Sequence, residues 1–158
     1  MKGKGQRSDG RGQKSERDQS LLTSAATQSG RGLQPAIRIV MMPRDANYLG
    51  TIFGGVILSS IDLAGAVESH RHSEDKLVTV AMHEVKFIAP VFVGDLVSFY
   101  TETIKLGNTS VTVRVTVDAT RAMSPHKTVR VTQAEVVYVA IDGAGKPTPI
   151  RKPGSAAS

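Results

Sequence analysis

The chain has 158 residues, no cysteine and a formal net charge of +6 at pH 7. This length suffices for one domain with a hydrophobic core, and the absence of cysteine excludes disulfides, thiolate metal sites and a cysteine nucleophile. The charge is unevenly distributed, because residues 1–34 hold seven Lys/Arg and three Asp/Glu, whereas the rest of the chain is only +2.

Residues 1–34 are rich in Gly, Ser and Gln and lack any apolar period, which predicts a disordered basic tail. Two interpretations stay open: an electrostatic arm for RNA or an acidic surface, and a dispensable extension. The tail has no aromatic side chains on which bases could stack, and no helix-turn-helix pattern is visible, so a nucleic-acid partner is disfavoured. No signal peptide is recognisable and cysteine is absent, so we expect a cytoplasmic protein.

A first short strand is predicted over residues 36–42, ended by Pro43. A loop over residues 44–51 then leads into an apolar segment of about sixteen residues from Phe53 to near His70. This length suits a buried helix and falls short of the ~20 residues that span a membrane, so no membrane partner is expected. His70 and His72 lie two residues apart and face different directions on a helix, so no metal site is predicted.

A helical wheel at ~100° per residue divides this segment into three sectors. One apolar face holds Ile57, Leu58, Ile61 and Ala64, and the opposite side holds Val56, Leu63 and Val67. The narrow sector between them, here called the helix seam, consists of Gly55, Ser59, Asp62, Ala66 and Ser69. A solvent-facing polar stripe is one interpretation, but such stripes usually carry Lys, Glu and Arg. The small side chains instead favour a seam that lines a site, with the Asp62 carboxylate at its centre.

The second half of the chain predicts four long strands, over residues 77–88, 96–106, the alternating valines at 111–117, and 127–141. Gly107-Asn108 is a hairpin signal between the second and third of them. The order predicts an α+β fold, an antiparallel sheet of about five strands wrapped around one long helix over residues 35–145. Residues 146–158 are expected to form a flexible C-terminal tail. The free sheet edge and the helix seam both need cover, so dimerisation is expected.

Four blocks of the sequence resemble a known family: MPRDANYLGTIFGGVILSSIDLAGA, LVTVAMHEVKFIAPVFVGDLV, GNTSV and RVTQAEVVYVAID. Together they span roughly residues 36–145, and they resemble the hotdog-fold acyl-CoA thioesterases. The branch they resemble most includes the bacterial short-chain enzymes and the brain-type cytosolic acyl-CoA hydrolases. Its marks are the Asn-x-x-Gly-x-x-x-Gly-Gly loop and the acid seven residues after the second Gly. The chain departs from relatives at Val56, where they often have Trp, and at His83, where they commonly have Asp or Ser.

The resemblance implies a hotdog fold and hydrolysis of acyl-CoA, with no cofactor, since CoA is part of the substrate. It also implies a homodimer with active sites at the subunit interface, in assemblies that are often trimers of dimers. It places the catalytic pair on Asn47 and Asp62 and the oxyanion-binding amide on Gly54 or Gly55. The turn Asn108-Thr109-Ser110 is a further candidate for holding the nucleotide or pantetheine arm.

The chemistry gives each of these residues a role. Backbone N–H groups at a helix start have no intrahelical partner and can stabilise the oxyanion of a tetrahedral intermediate. Asp62 would act as general base on water or as nucleophile forming an anhydride, and the sequence leaves both open. Asn47 would orient the water or the thioester, or it simply forms the loop. Lys86, Arg121, Lys127 and Arg130 are phosphate-binding candidates by charge alone.

Helix geometry bears on how such a site is assembled. Asp62 lies eight residues after Gly54, which is about 12 Å along a helix at 1.5 Å per residue. One subunit cannot easily place both groups on one carbonyl, whereas two antiparallel helices across a dimer seam could.

Two other functions compete with hydrolysis. One is hydratase or dehydratase chemistry on an acyl thioester, which usually places a His with the acid, whereas this helix has no internal His. The other is a non-catalytic acyl-CoA sensor whose basic tail contacts nucleic acid.

Overall fold

The computed structural model describes residues 34–150. Five strands and one long helix occur in the order β1 (Ile37–Val40), α1 (Gly54–Ser69), β2 (Lys76–His83), β3 (Leu96–Leu106), β4 (Ser110–Arg121) and β5 (Ser124–Ile141). A single 3-10 turn, Pro43–Asp45, follows β1. All strand pairs are antiparallel and the sheet order is β1-β3-β4-β5-β2. The predicted α+β fold, a curled sheet around one helix, is therefore confirmed.

Helix α1 begins at Gly54 because Phe53 is still extended, with φ −63° and ψ 127°. It ends at Ser69 through tight-turn bonds from Arg71 N–H to Glu68 O and from His72 N–H to Ser69 O. The predicted start and the predicted end near His70 are both confirmed.

The faces of α1 differ in burial as the wheel predicted. Ile57, Ile61 and Ala64 are buried in the core, and Leu58 is partly buried against it. On the opposite side, Leu63 is 60% and Val67 is 49% exposed in the single chain. An apolar strip on the outer surface of α1 therefore remains exposed in the single chain.

The core-facing side of the sheet is built mainly by β4. Val111, Val113, Val115 and Val117 are all fully buried, and the residues between them are mostly half-buried. Side chains alternate between the two faces of a strand, so this pattern puts the valines under α1. The predicted alternation and the Gly107 hairpin are confirmed, since Gly107 N–H donates to Ser110 O at 2.7 Å.

The predicted strand over residues 77–88 is too long at its C-terminal end. β2 stops at His83 because Glu84 has a left-handed backbone with φ 59°, which breaks the ladder with β5. The chain then runs irregularly beneath the start of α1, tied by a bond from Ile88 N–H to Val131 O at 2.9 Å. This segment, residues 84–91, forms one wall of the site described below.

Both ends of the chain extend past the sheet. The predicted N-terminal tail lies outside the described residues except for Gln34. The first five residues of the segment 146–158 run back along β5, where Thr148 N–H donates to Ala140 O and Ile150 N–H donates to Asn108 O. No helix within residues 34–150 is long and apolar enough to cross a membrane.

β2 forms an outer edge of the sheet, since its only partner is β5. Val78 and Val80 on this strand are exposed. An exposed apolar edge strand is a ready template for pairing with another strand, and the exposed strip on α1 adds a second surface in need of cover.

A buried carboxylate fixes the turn before β3. Asp95 accepts hydrogen bonds from Phe92 N–H at 3.0 Å, from Ala122 N–H at 3.2 Å and from Arg121 Nη1 at 2.5 Å. Arg121 also donates to Pro90 O at 2.9 Å. This cluster holds the segment from Pro90 to Asp95 against the end of β4.

Replacing Asp95 by Ala should therefore be strongly destabilising. The half-buried guanidinium of Arg121 would lose its carboxylate partner and two main-chain N–H groups would lose their acceptor, so we expect the free energy of unfolding to fall by about 3 kcal/mol. Urea denaturation at fixed protein concentration measures this change.

Glu102→Ala is the matched control, because Glu102 is an exposed carboxylate. Its ion pair with Arg114, at 3.5 Å, lies at the surface. Its removal should change the free energy of unfolding by no more than ~0.5 kcal/mol. Equal effects of the two substitutions would show that the Asp95 cluster is not structural.

Candidate active site

The start of α1 presents two free backbone N–H groups. Within residues 34–150, neither the Gly54 nor the Gly55 N–H has a hydrogen-bond acceptor, whereas the Val56 N–H donates to Phe53 O at 3.0 Å. Phe53 itself is fixed by a bond from its N–H to Asp45 O at 2.8 Å. Free amides at the positive end of a helix dipole favour an anion.

The two glycines differ in the space around them. A Cβ on Gly55 would lie 2.3 Å from Cε1 of the Phe53 ring, which leans over that residue. A Cβ on Gly54 would make only an ordinary contact, 3.5 Å from Cζ of Phe87. Gly55 thus leaves room for the Phe53 ring, whereas a Cβ at Gly54 would fit against Phe87 without a clash.

A cavity of about 360 Å³ lies beside Gly54. Its walls are mainly apolar and come from the loop before α1, from the helix, and from the irregular segment after β2: Thr51, Ile52, Gly54, Ile57, Phe87, Ile88, Ala89, Pro90 and Val91. Ile52 N–H donates to Val91 O at 2.9 Å and so joins the two walls. An apolar pocket next to two free amides suits a ligand that has an aliphatic chain and one polar group.

Asp62 lies two turns further along α1, half-buried within the helix seam. Thr79 Oγ1 on β2 donates to Asp62 Oδ1 at 2.6 Å, and Tyr138 Oη on β5 donates to the Asp62 main-chain oxygen at 2.7 Å. Burial raises the pKa of Tyr138, and the nearby Asp62 carboxylate raises it further, so the Tyr138 hydroxyl stays a donor near neutral pH.

Asn47 uses its side chain within its own loop. Its Oδ1 accepts from Leu49 N–H at 2.9 Å and from Thr51 N–H at 3.3 Å, and its Nδ2 donates to Thr51 Oγ1 at 3.0 Å. Gly50 completes the turn with φ 79°. In the single chain, Asn47 therefore shapes the loop that delivers Gly54 to the start of the helix.

The turn Asn108-Thr109-Ser110 lies far from Gly54 of the same chain. β3 starts five residues after Val91, a wall of the cavity, and ends at Leu106 beside this turn, so the strand separates them by roughly 30 Å. The carbonyl oxygens of Asn108 and Thr109 accept bonds from Ile150 N–H and Ala140 N–H.

The basic candidates divide into two groups. Arg121 is paired with Asp95, and Arg130 is ion-paired with Asp118. Lys86 and Lys127, by contrast, are exposed, so they are the two of these cations left available for a phosphate.

The two helix-end histidines do not converge. His72 Nε2 lies 2.9 Å from Thr103 Oγ1. Between residues 34 and 150, no three or more His, Asp or Glu side chains are grouped so as to hold a metal ion.

Within one chain, then, the fold gathers Asn47, Gly54 and Gly55 at the start of α1 and keeps Asp62 about 12 Å away along the helix. Thr79 and Tyr138 were missed by sequence reasoning. The only sign of Thr79 was a lone hydroxyl in the apolar run LVTVAM, and its contact follows from the packing of β2 across the helix, which no local pattern reveals.

Comparison with known proteins places this chain in a family. The model of the thioesterase superfamily matches residues 49–123. An acyl-CoA thioester hydrolase of Salmonella typhimurium, YciA, is 35% identical over 116 residues, which cover 72% of this chain and 87% of the relative. The chain belongs to the hotdog-fold acyl-CoA thioester hydrolases.

Solved structures of thioesterases agree with this assignment. A hexameric hotdog-fold thioesterase of Campylobacter jejuni is 44% identical with a TM-score of 0.70, covering 75% of this chain and 90% of its own. A hexameric thioesterase of Yersinia pestis is 35% identical with a TM-score of 0.71, covering 77% of this chain and 98% of its own. The predicted family is therefore confirmed.

The loop geometry of this thioesterase separates two roles for Asn47. Asn47→Ala removes the acceptor of two backbone N–H groups, and we expect the free energy of unfolding to fall by about 1–2 kcal/mol. Asn47→Asp keeps that acceptor and exchanges the Nδ2 donor for a charged oxygen to which Thr51 Oγ1 can donate, so it should remain near wild type in urea denaturation.

Turnover of the two variants then assigns the role. A stable Asn47→Asp variant with strongly reduced thioester hydrolysis would give the amide donor a part in catalysis. Full activity in Asn47→Asp would leave Asn47 as a loop residue only.

Proposed function

We propose that this chain hydrolyses the thioester of acyl-CoA to a carboxylic acid and CoA. The observation that carries the proposal is the Asp62 carboxylate, half-buried in a seam of small side chains and held there by Thr79. A carboxylate fixed in this way on a helix, with free amides and an apolar pocket elsewhere on that helix, supplies the groups that thioester hydrolysis needs. The names of the relatives support the same chemistry.

The oxyanion would be stabilised at the start of α1. When the thioester carbonyl is attacked, its oxygen becomes negative, and the free N–H of Gly54 or Gly55 can donate to it. Because Gly54 has no Cβ, the carbonyl can approach that amide closely. The adjoining cavity of about 360 Å³ would take the acyl chain.

Asp62 would supply the attacking group from another subunit. Eight helical residues, about 12 Å, separate it from Gly54 of its own chain. The exposed Leu63 and Val67, which flank the seam, and the open edge of β2 support a homodimer in which two such helices run antiparallel. Asp62 of one chain would then face Gly54 of its mate.

Two routes for Asp62 remain open. As general base, it takes a proton from water, the hydroxide adds to the carbonyl carbon, and the C–S bond breaks to release CoA after protonation of the sulfur. As nucleophile, its oxygen displaces the CoA thiolate to give an anhydride, which water then hydrolyses to regenerate Asp62. Asn47 would orient the water or the thioester in either route.

The hexameric relatives support a trimer of dimers as the full assembly. Since Asn108, Thr109 and Ser110 lie at the far end of β3 from Gly54, any contact of this turn with CoA would be made to a substrate at another subunit's site. Lys86 and Lys127 would be the phosphate contacts. No cofactor is needed, because CoA is part of the substrate.

The most direct single-residue test of the proposed role of Asp62 is the substitution Asp62→Asn. The amide keeps the size of the carboxylate and an oxygen that accepts from Thr79, but it can neither take a proton nor form an anhydride. We expect kcat to fall about 1000-fold with an unchanged oligomer and an unchanged circular dichroism spectrum. Thiol release from CoA thioesters between acetyl and palmitoyl measures the loss across chain lengths.

Glu102→Gln, an exposed carboxylate on β3, serves as the control and should hydrolyse at the wild-type rate. A folded Asp62→Asn enzyme with wild-type turnover would remove Asp62 from the mechanism.

A further inference from the structure

The hydroxyl of Tyr138 makes a directional contact between the sheet and the middle of α1. Tyr138 lies on β5, is only 1% exposed, and donates from Oη to the main-chain oxygen of Asp62 at 2.7 Å. In a helix interior that oxygen also accepts the N–H four residues on, from Ala66. The tyrosine therefore uses the second lone pair of a carbonyl that is already bonded.

Gly65 makes this contact possible. A Cβ at position 65 would lie 2.3 Å from Tyr138 Oη and 3.0 Å from its Cζ. Glycine in a helix interior is destabilising relative to alanine. The sequence nevertheless has glycine at the point where the tyrosine hydroxyl enters the helix surface.

Asp62 is thereby held from two strands. Thr79 on β2 binds its carboxylate, and Tyr138 on β5 binds its main chain. The apolar contacts of α1 with the sheet, such as those of Ile57 and Ile61, are not directional and do not fix how far the helix is rotated about its axis.

The next hydrogen bond between helix and sheet is six residues further on. There Glu68 Oε1 accepts from Thr103 Oγ1 at 3.1 Å. Tyr138 is therefore the buried anchor at the level of the carboxylate, and Glu68 is the anchor at the C-terminal end of α1.

We propose that Tyr138 is the positioning residue for Asp62: its hydroxyl sets the rotation and axial height of α1 at the carboxylate, and Gly65 provides the space for it. The inference rests on the proposed function. A shift of the carboxylate by a fraction of an ångström would spoil the attack geometry without touching the pocket that binds the acyl chain. The expected signature is a loss in kcat at nearly constant KM.

Tyr138→Phe tests this directly, because the ring keeps its packing and only the hydroxyl is lost. We expect kcat for butyryl-CoA to fall about tenfold with KM within twofold, and with an unchanged oligomer and circular dichroism spectrum. Tyr100→Phe is the matched control, since Tyr100 lies on β3 beside the buried Phe99 and so points to the opposite face of the sheet. Its kcat should stay within twofold of wild type.

Gly65→Ala provides a second test that does not depend on Tyr138→Phe alone. The added methyl group would displace the tyrosine hydroxyl and lower kcat. Combining it with Tyr138→Phe removes the clashing oxygen, so the double variant should be more active than Gly65→Ala. Such a rescue shows that the two residues are coupled, whereas multiplied losses in the double variant would overturn the proposal.

The outcomes separate this inference from the proposed function. An enzyme that loses turnover in Asp62→Asn but keeps kcat in Tyr138→Phe overturns the role of Tyr138 and leaves the hydrolase intact. A Tyr138→Phe variant in which KM rises as much as kcat falls also overturns it. A wild-type chain that hydrolyses no CoA thioester overturns both.

Discussion

The two groups proposed to form the active site lie on one rigid helix, which cannot bring them together by itself. In α1 the free amides of Gly54 and Gly55 and the carboxylate of Asp62 are separated by about 12 Å of rigid backbone, and nothing in the sheet bends the helix to bring them together. A site shared between two chains would account for the small side chains of the helix seam and for its apolar flank, Leu63 and Val67, which is exposed in the single chain. Both features are what a second copy of the helix would need for close approach.

The rest of the fold holds that helix in place. Four buried valines of β4 support it from below, and the loop of Asn47 and the segment after β2 frame its first turn. Polar side chains then set its orientation: Thr79 and Tyr138 at Asp62, and Glu68 towards the end. Apolar burial supplies most of the free energy of folding, whereas the hydrogen bonds, which are directional, fix the orientation of the helix. The buried pairs of Asp95 with Arg121 and of Asp118 with Arg130 keep the far end of β4 in register.

Much of this fold was readable from the sequence, because it is encoded in local periods. The sixteen-residue helix follows from an apolar run without proline, and β4 follows from valine at every second position. β2 was predicted five residues too long at its C-terminal end. The sequence there is largely apolar, as in a strand, and it does not indicate that Glu84 has a left-handed backbone. The contacts of Asp62 could not be predicted at all. Thr79 and Tyr138 lie 17 and 76 residues away from it along the chain, so only the order of the strands brings them to the helix. The helical wheel singled out Asp62, and the resemblance to a family gave roles to Asp62 and the glycines, whereas the groups that hold Asp62 came from the structure.

The claim on which this account depends is that each site is shared by two chains, and complementation tests it most directly. Asp62→Asn removes the carboxylate. Gly54→Pro removes an amide N–H at the first helical residue, where proline is well tolerated. Each variant alone should be inactive, but co-expressed in equal amounts they should regain about a quarter of wild-type turnover, because half of the dimers are mixed and each of these has one intact site. A mixture as inactive as its two parents would contradict the shared site and return both groups to a single chain.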